Sequence, residues 1–326
     1  MTVSDDGVLY SLKGQRAFAE ELATRWSVHI SAATLDAIPE TVRPKIRAMV
    51  TSGSVGASAA LMQGLPNLRL VTCFGSGFEG VDLKAARDRG IVVTHAPGAN
   101  ASSVADMAIG LMIASVRRIA AGDRFIRAKH WLTQKKPSGE RGLTGRRLGI
   151  FGLGAIGEKI ALRAAALEMD IGYHNRTART DVSWQYHPTL LDLAKTSDVL
   201  MVACRAGEET RNAVNAVVLD ALGPDGHVVN ISRGSVIDEA ALIDALRHGK
   251  IAGAGLDVFV GEPNVSAALQ SLETVVMTPH LGGATADASA ATAAYVLRTL
   301  EAFFSDQAVP YLVPSHQAPN TAPSAA

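Results

Sequence analysis

The chain has 326 residues, 48% hydrophobic and 19% charged; that is enough apolar material for more than one core, which favours a two-domain α/β protein and excludes a disordered or collagen-like chain. Lysine plus arginine and aspartate plus glutamate number 31 each, so the formal net charge is zero. That balance gives no electrostatic footprint for nucleic acid or an anionic membrane, and a small molecule is the expected partner.

Asp5 and Asp6 stand where a secretory signal would need basic and then apolar residues. The longest apolar stretch, residues 107–116, is shorter than the roughly 20 residues that span a bilayer. A cytoplasmic protein is expected. From Val8 to His95, apolar runs at 46–50, 68–73 and 91–94 alternate with helix-like stretches at 57–63 and 83–89, the rhythm of parallel βαβ units. Residues 102–120 are apolar on nearly every face until Arg117 and Arg118, which predicts a helix buried all round, linking two domains and lining a subunit interface.

From Leu148 the alternation restarts: strand 148–151, helix 155–167, strand 171–174, helix near 190–195, strands 199–204 and 227–231, helix 239–247, strands 251–256 and 275–278. This is a doubly wound dinucleotide-domain layout. The last helix, 288–304, has no strand left to pack on in that sheet and is expected to return to the first domain. The predicted division is therefore a discontinuous substrate domain, 1–100 with 286–326, and a Rossmann domain, 101–285, with a disordered tail from about 313. Cys73 and Cys204 lie in apolar strand-like runs outside any CxxC or ligand cluster, so buried free thiols and no metal site are expected.

Gly152-Leu153-Gly154-Ala155-Ile156-Gly157 follows a predicted strand and opens a predicted helix, the context in which GxGxxG signifies a pyrophosphate loop. An NAD site has an acidic residue for the ribose 2'-hydroxyl at the end of the next strand. Here the chain reads Tyr173-His174-Asn175-Arg176-Thr177, with Asp170 before the strand and Asp181 well after it. Arg176, Thr177 and Arg179 offer guanidinium and hydroxyl donors for a 2'-phosphate instead, so NADPH is the expected cofactor, with Asn175 among the residues expected to bind it. If Arg176 is merely a solvated loop residue, the site is indifferent to the phosphate and NADH serves as well.

Three polar residues follow predicted strands at their carboxyl ends, where open α/β sheets bind ligands: Arg233, Glu262 and His280. Reducing a 2-keto acid needs a cation to grip the carboxylate and polarise the carbonyl, a proton donor for the developing alkoxide, and a hydride. Arg233 and His280 supply the first two, and Glu262 supports the protonated imidazole by accepting a bond from it.

Taken in order, Gly80-Val81-Asp82, Pro97-Gly98-Ala99-Asn100, Val104-Ala105-Asp106, the glycine loop, Asn230-Ile231-Ser232-Arg233-Gly234, Gly255-Leu256-Asp257-Val258-Phe259, Glu262-Pro263 and Thr278-Pro279-His280-Leu281-Gly282 resemble the D-isomer-specific 2-hydroxyacid dehydrogenases over about residues 45–305. Asn175-Arg176-Thr177 is similar to the NADPH-dependent glyoxylate/hydroxypyruvate reductase branch. The resemblance implies two doubly wound parallel-sheet domains, Rossmann and flavodoxin-like, closing on a water-excluding cleft, and a homodimer. It implies Arg233 as substrate ligand, His280 as acid/base, Glu262 as its partner and Asp257 near the nicotinamide amide. It further implies a substrate cradle at the N–H groups of Ser76 and Gly77, and cofactor contacts at Cys204, Thr210, Ile231, Ser232, His280 and Gly282. Ala101 and Arg205 depart from the family, which often has threonine and proline there.

The implied reaction is glyoxylate or hydroxypyruvate reduction. Larger 2-keto acids such as phenylpyruvate stay open, as does a short phosphoglycerate dehydrogenase, although the chain ends soon after the return helix. Glu262 speaks against a formate dehydrogenase. From another class, a dinucleotide-sensing corepressor would share the fold and hardly turn over.

Overall fold

Short runs of β-branched and aliphatic residues, separated by amphipathic helices, assemble into two sheets of 5 and 7 strands in which every strand pairing is parallel. The structure, a computed structural model, describes residues 4–12, 14–135 and 142–314. Contacts divide the chain into one unit of 1–100 with 286–326 and a second of 101–285.

The first unit runs β1 (Ser4–Tyr10), α1 (Arg16–Ala23), β2 (Trp26–Ile30), β3 (Ile46–Thr51), α2 (Ala59–Gly64), β4 (Leu70–Cys73), α3 (Leu83–Asp88) and β5 (Val92–Thr94). Its strand order is β2-β1-β3-β4-β5, the flavodoxin-like order. Residue alternation sends Val8, Tyr10, Val50 and Leu70 to one face and Leu9, Met49, Val71 and Val93 to the other. Both faces are covered, which is why β3 and β4 read as continuous apolar runs. Sequence reading starts β1 only at Val8, because Ser4, Asp5, Asp6 and Gly7 carry no strand signal.

The second unit runs α4 (Ala101–Val116), α5 (Ile119–Arg127), β6 (Arg147–Phe151), α6 (Ala155–Ala166), β7 (Asp170–His174), β8 (Gln185–Tyr186), α7 (Leu190–Lys195), β9 (Val199–Val202), α8 (Ala216–Leu222), β10 (His227–Asn230), α9 (Glu239–Arg247), β11 (Gly253–Leu256), α10 (Ala267–Gln270) and β12 (Val275–Met277). Strand order is β12-β11-β10-β9-β6-β7-β8, with the order reversing at β6, which pairs with β7 on one side and β9 on the other. Helices α7, α8 and α9 cover one face through Leu193, Leu219 and Leu242, while α4 and α6 cover the other through Leu111, Met112 and Ile160.

Helix α4 is not buried all round. Val104, Ala105, Ala108, Leu111 and Met112 are buried, whereas Asp106 and Gly110 are exposed and Ile109 and Ile113 half-buried. The predicted single element also breaks: Arg118 adopts φ 51° and a separate helix, α5, follows. Helix α8 lies between strands that sequence reading leaves joined by a loop. Its signal is local, with Asn215 accepting bonds from the N–H groups of Val217 and Val218, and Gly223 just beyond its end.

The final helix, α11 (Ala286–Phe304), belongs to the first unit, where Val296 and Leu300 pack with Val8, Tyr10 and Leu22. Val313, placed in the expected tail, is fully buried and its N–H donates to the Val93 carbonyl; residues 315–326 lie outside the described part. Cys73 is buried and Cys204 only partly so, and burial raises both thiols to about 12. Among the described residues no helix is long and apolar enough to cross a membrane.

Buried His227 opens β10 within 3.0 Å of the Ser115 hydroxyl. Desolvation, reinforced by Arg146, lowers it to about 4. Its folded pKa thus lies below the unfolded value of about 6.5, so the unfolded chain takes up the extra proton in between. Stability is full above that range and falls as pH drops through it, by up to about 3 kcal/mol. His227→Gln is expected to flatten the pH dependence of the thermal midpoint between those limits; an unchanged slope would mean His227 is not the group responsible.

Candidate active site

The carboxyl ends of β6, β10, β11 and β12 carry the glycine loop, Arg233, Glu262 and His280 respectively, on one edge of one parallel sheet. Outside that edge, at the reversal of strand order, open α/β sheets hold their ligands.

His280 and Glu262 are in contact. The imidazole Nδ1 lies 2.7 Å from Glu262 Oε2, and since a carboxylate only accepts, Nδ1 carries the hydrogen and Nε2 is left to face a reactant. Glu262 is held in turn by its other oxygen, which accepts the Phe259 N–H at 2.9 Å. The His280 backbone is fixed as well: φ is 53°, uncommon for a side-chain-bearing residue, and its N–H donates to the Asp257 and Thr278 carbonyls.

Asp257, which the family resemblance puts beside the nicotinamide amide, is buried with its carboxylate turned to the His280 loop. Oδ1 accepts the Thr278 hydroxyl at 2.6 Å and the Leu281 N–H at 2.8 Å, and Oδ2 accepts the Gly282 N–H at 2.8 Å. In this structure its role is to hold the turn that carries the histidine, and Gly282 is part of that clasp.

Arg233 sits on an extended residue before a short turn, Gly234–Val236. Asn230, buried at the end of β10, braces that turn by accepting the Ser232 N–H and donating to the Arg233 carbonyl. A side chain at Gly234 would strike the Phe259 carbonyl carbon at 2.0 Å, so this turn and the Glu262 loop meet backbone to backbone. One guanidinium nitrogen donates to the Ser232 carbonyl at 2.7 Å. Asn230 and Gly234 are supporting residues that sequence reasoning quotes only as motif members.

The loop Gly152–Gly157 fits a dinucleotide. Gly152 has φ 103°, and a Cβ there would lie 2.3 Å from Cys204 Cα; one on Gly157 would meet the Gly152 carbonyl oxygen at 2.3 Å. Gly154 differs: nothing lies within 4 Å of its would-be Cβ, and as N-cap of α6 it leaves the helix without a side-chain cap. Gly154 and Ala155 are exposed and Ile156 half-buried there. Open space before unpaired helix N–H groups is what a pyrophosphate requires.

Several expected cofactor residues are also tied to neighbouring backbone. The Asn175 side-chain oxygen accepts the Leu153 N–H at 2.7 Å, and the Ser232 hydroxyl donates to the Cys204 carbonyl at 2.5 Å. Thr210 closes its own turn by accepting the Gly207 N–H and donating to the Arg205 carbonyl. Ile231 is buried behind them. Arg176 and Thr177 are exposed beyond β7. Arg179 is not available as a phosphate donor in this arrangement, because it is bound to Glu158 and Asp181. Asp170 is the first residue of β7, at the opposite end of the strand from these groups.

In the first unit, the loop after β4 is built on Gly75 at φ 131°. The Ser76 hydroxyl reaches Asn100 Oδ1 at 2.9 Å, and the Ser76 carbonyl lies 2.9 Å from His95 Nδ1. Among the described residues the N–H groups of Ser76 and Gly77 have no hydrogen-bond partner.

Residues 109–282 match the model of the D-isomer specific 2-hydroxyacid dehydrogenase, NAD binding domain. Glyoxylate/hydroxypyruvate reductase A of Arabidopsis thaliana is 44% identical over 274 residues, covering 83% of this chain and 86% of the relative. The chain belongs to the D-isomer specific 2-hydroxyacid dehydrogenase family. Hydroxyphenylpyruvate reductase of Plectranthus scutellarioides is 41% identical over 82% of this chain and 85% of its own. An NADPH-dependent glyoxylate/hydroxypyruvate reductase from Sinorhizobium meliloti, crystallised with NADP and malonate, superposes with a TM-score of 0.90 at 37% identity, covering 95% of this chain and 97% of that one. As a 2-hydroxyacid dehydrogenase, the protein is an oxidoreductase whose second unit carries the nicotinamide-dinucleotide domain. In this dehydrogenase, Glu262 is the residue whose geometry most restricts the chemistry, since it fixes which imidazole nitrogen is free.

Proposed function

We propose that this dehydrogenase reduces a small 2-keto acid, glyoxylate or hydroxypyruvate, to the D-2-hydroxy acid with NADPH. The observation that carries the reading is the Phe259–Glu262–His280 chain, which presents Nε2 of an imidazole backed by a carboxylate at the edge that also bears Arg233 and the glycine loop. The names of the Arabidopsis and Sinorhizobium relatives support the same substrates. Bound reduced dinucleotide supplies the hydride. Arg233 grips the carboxylate and polarises the carbonyl, and His280 gives its Nε2 proton to the oxygen as charge develops. Glu262 keeps the ring oriented, with Nδ1 bound to its carboxylate and Nε2 presented to the substrate. Within the first unit, the Ser76 and Gly77 N–H groups form an anion-binding element of their own.

The NADPH preference rests on Arg176, since no acidic residue follows β7 where NAD enzymes use one to bind the ribose. Arg176→Ala is expected to weaken NADPH about tenfold while leaving NADH nearly unchanged, the loss of one charge-assisted phosphate contact. Equal efficiency of wild type with both cofactors would remove the preference. We further propose a homodimer formed through residues 119–132, where Ile119, Ile126, Trp131 and Leu132 are 50–83% exposed, together with the uncovered face of α4. The free thiols fit a reducing cytoplasm.

The test is oxidation of NADPH and of NADH against a panel of 2-keto acids that includes phenylpyruvate and hydroxyphenylpyruvate. Highest kcat/KM is expected for glyoxylate or hydroxypyruvate with NADPH. A higher value for the aromatic acids would overturn the substrate reading, and no turnover on any acid would favour a sensing role.

A further inference from the structure

This inference rests on the reading of Arg176 as the 2'-phosphate ligand. Two arginine–carboxylate sets lie beyond β7, and they differ sharply. Arg179 is 23% exposed and doubly held, 2.7 Å from Glu158 and 2.5 Å from Asp181. Moving it would strand two carboxylates. Arg176 has an ion pair with Glu209 at 3.3 Å, with side chains 89% and 70% exposed, and such solvated pairs are readily exchanged.

Glu209 is held in place by its backbone. It lies in the short turn Glu208–Thr210, which the Thr210 hydroxyl closes through Gly207 and Arg205. Its neighbour Glu208 is engaged with Arg211 at 2.7 Å, so of the two adjacent glutamates it is Glu209 that meets Arg176.

We propose that Glu209 is a specificity-determining residue for the cofactor: it occupies Arg176 in the free enzyme, competes with the 2'-phosphate for it, and thereby holds NADPH affinity below what Arg176 alone would give. A phosphate dianion displaces a carboxylate from a guanidinium because it carries more charge and more acceptor oxygens. The displaced carboxylate stays tethered nearby and repels the phosphate. NADH has a neutral hydroxyl at that position and meets neither effect. Arg176 and Glu209 thus act in opposite directions on the same discrimination.

The experiment is calorimetric measurement of the Kd of NADPH and NADH for the full-length wild type, Glu209→Gln, Arg176→Ala and the double variant, with thermal midpoints to confirm folding of these exposed-site variants. Glu209→Gln is expected to tighten NADPH about three- to tenfold and to change NADH less than about twofold, as removal of one nearby exposed charge allows. The gain should shrink markedly in the Arg176→Ala background, because the competition needs the guanidinium. If Arg176→Ala selectively weakens NADPH but Glu209→Gln does not tighten it, or tightens both cofactors alike, the role of Glu209 is overturned while that of Arg176 stands. If Arg176→Ala leaves both cofactors unaffected, the underlying reading fails and takes this one with it.

Discussion

Replacing His280 by glutamine is expected to lower kcat by about two to four orders of magnitude, the usual contribution of a positioned general acid, while NADPH binding stays near wild type. The amide is close to the imidazole in size and can still donate to Glu262 Oε2, which lies 2.7 Å from Nδ1. It cannot release a proton to an alkoxide. The loop itself should survive, because Asp257 clasps the N–H groups of Leu281 and Gly282 independently of the His280 ring. Steady-state kinetics with titrated NADPH separate the two effects: a fall in kcat with unchanged NADPH Kd supports a proton-transfer role, and a variant within tenfold of wild type removes histidine from the mechanism. Glu262→Gln should fall between the two, since the ring keeps a neighbour and loses its counter-charge.

Arg233→Ala is expected to lower kcat/KM for the keto acid by about three orders of magnitude or more, with both kcat and KM affected. The same cation serves two ends of the substrate, holding the carboxylate in the ground state and stabilising charge on the carbonyl oxygen as it develops. Arg233→Lys should recover little, because a point charge cannot reproduce the planar fork that meets a carboxylate with two parallel bonds. Neither change should unfold the turn. Its shape comes from Asn230 and from the Gly234 backbone against Phe259. Substrate titration at saturating NADPH checks the expectation; a rise in KM alone would confine Arg233 to binding.

The parts of the fold that sequence reveals are those whose signal is local and repeated. Strands β6, β9 and β10 are apolar because the sheet is covered on both faces, and the glycine pattern between β6 and α6 is dictated by steric limits at Gly152 and Gly157. Strand β1 is half hidden because its first residues are polar, and α8 was readable from Asn215 but too short for a periodic pattern. The break after α4 depends on the left-handed conformation of Arg118, which no composition rule marks.

Within the site, residue types that chemistry demands stand out in sequence, whereas partner choice does not. Arg179 looks as good a phosphate donor as Arg176 until Glu158, 21 positions earlier, is seen to claim it. Asp257, expected beside the cofactor, has both oxygens on the His280 loop as well, a pairing that spacing does not announce. Asn175 and Ser232, read as cofactor contacts, brace Leu153 and Cys204. Such pairings arise from strands brought side by side, so one-dimensional spacing carries little trace of them.

The most direct test of the account follows label. Hydroxypyruvate is reduced with NADPH carrying deuterium at both C4 positions of the nicotinamide, and the product is analysed by NMR and chiral chromatography. The expected product is D-glycerate with deuterium at C2, formed by wild type and almost lost with His280→Gln and Arg233→Ala. Glycerate without deuterium at C2, L-glycerate, or labelled product formed equally well by both variants would contradict it.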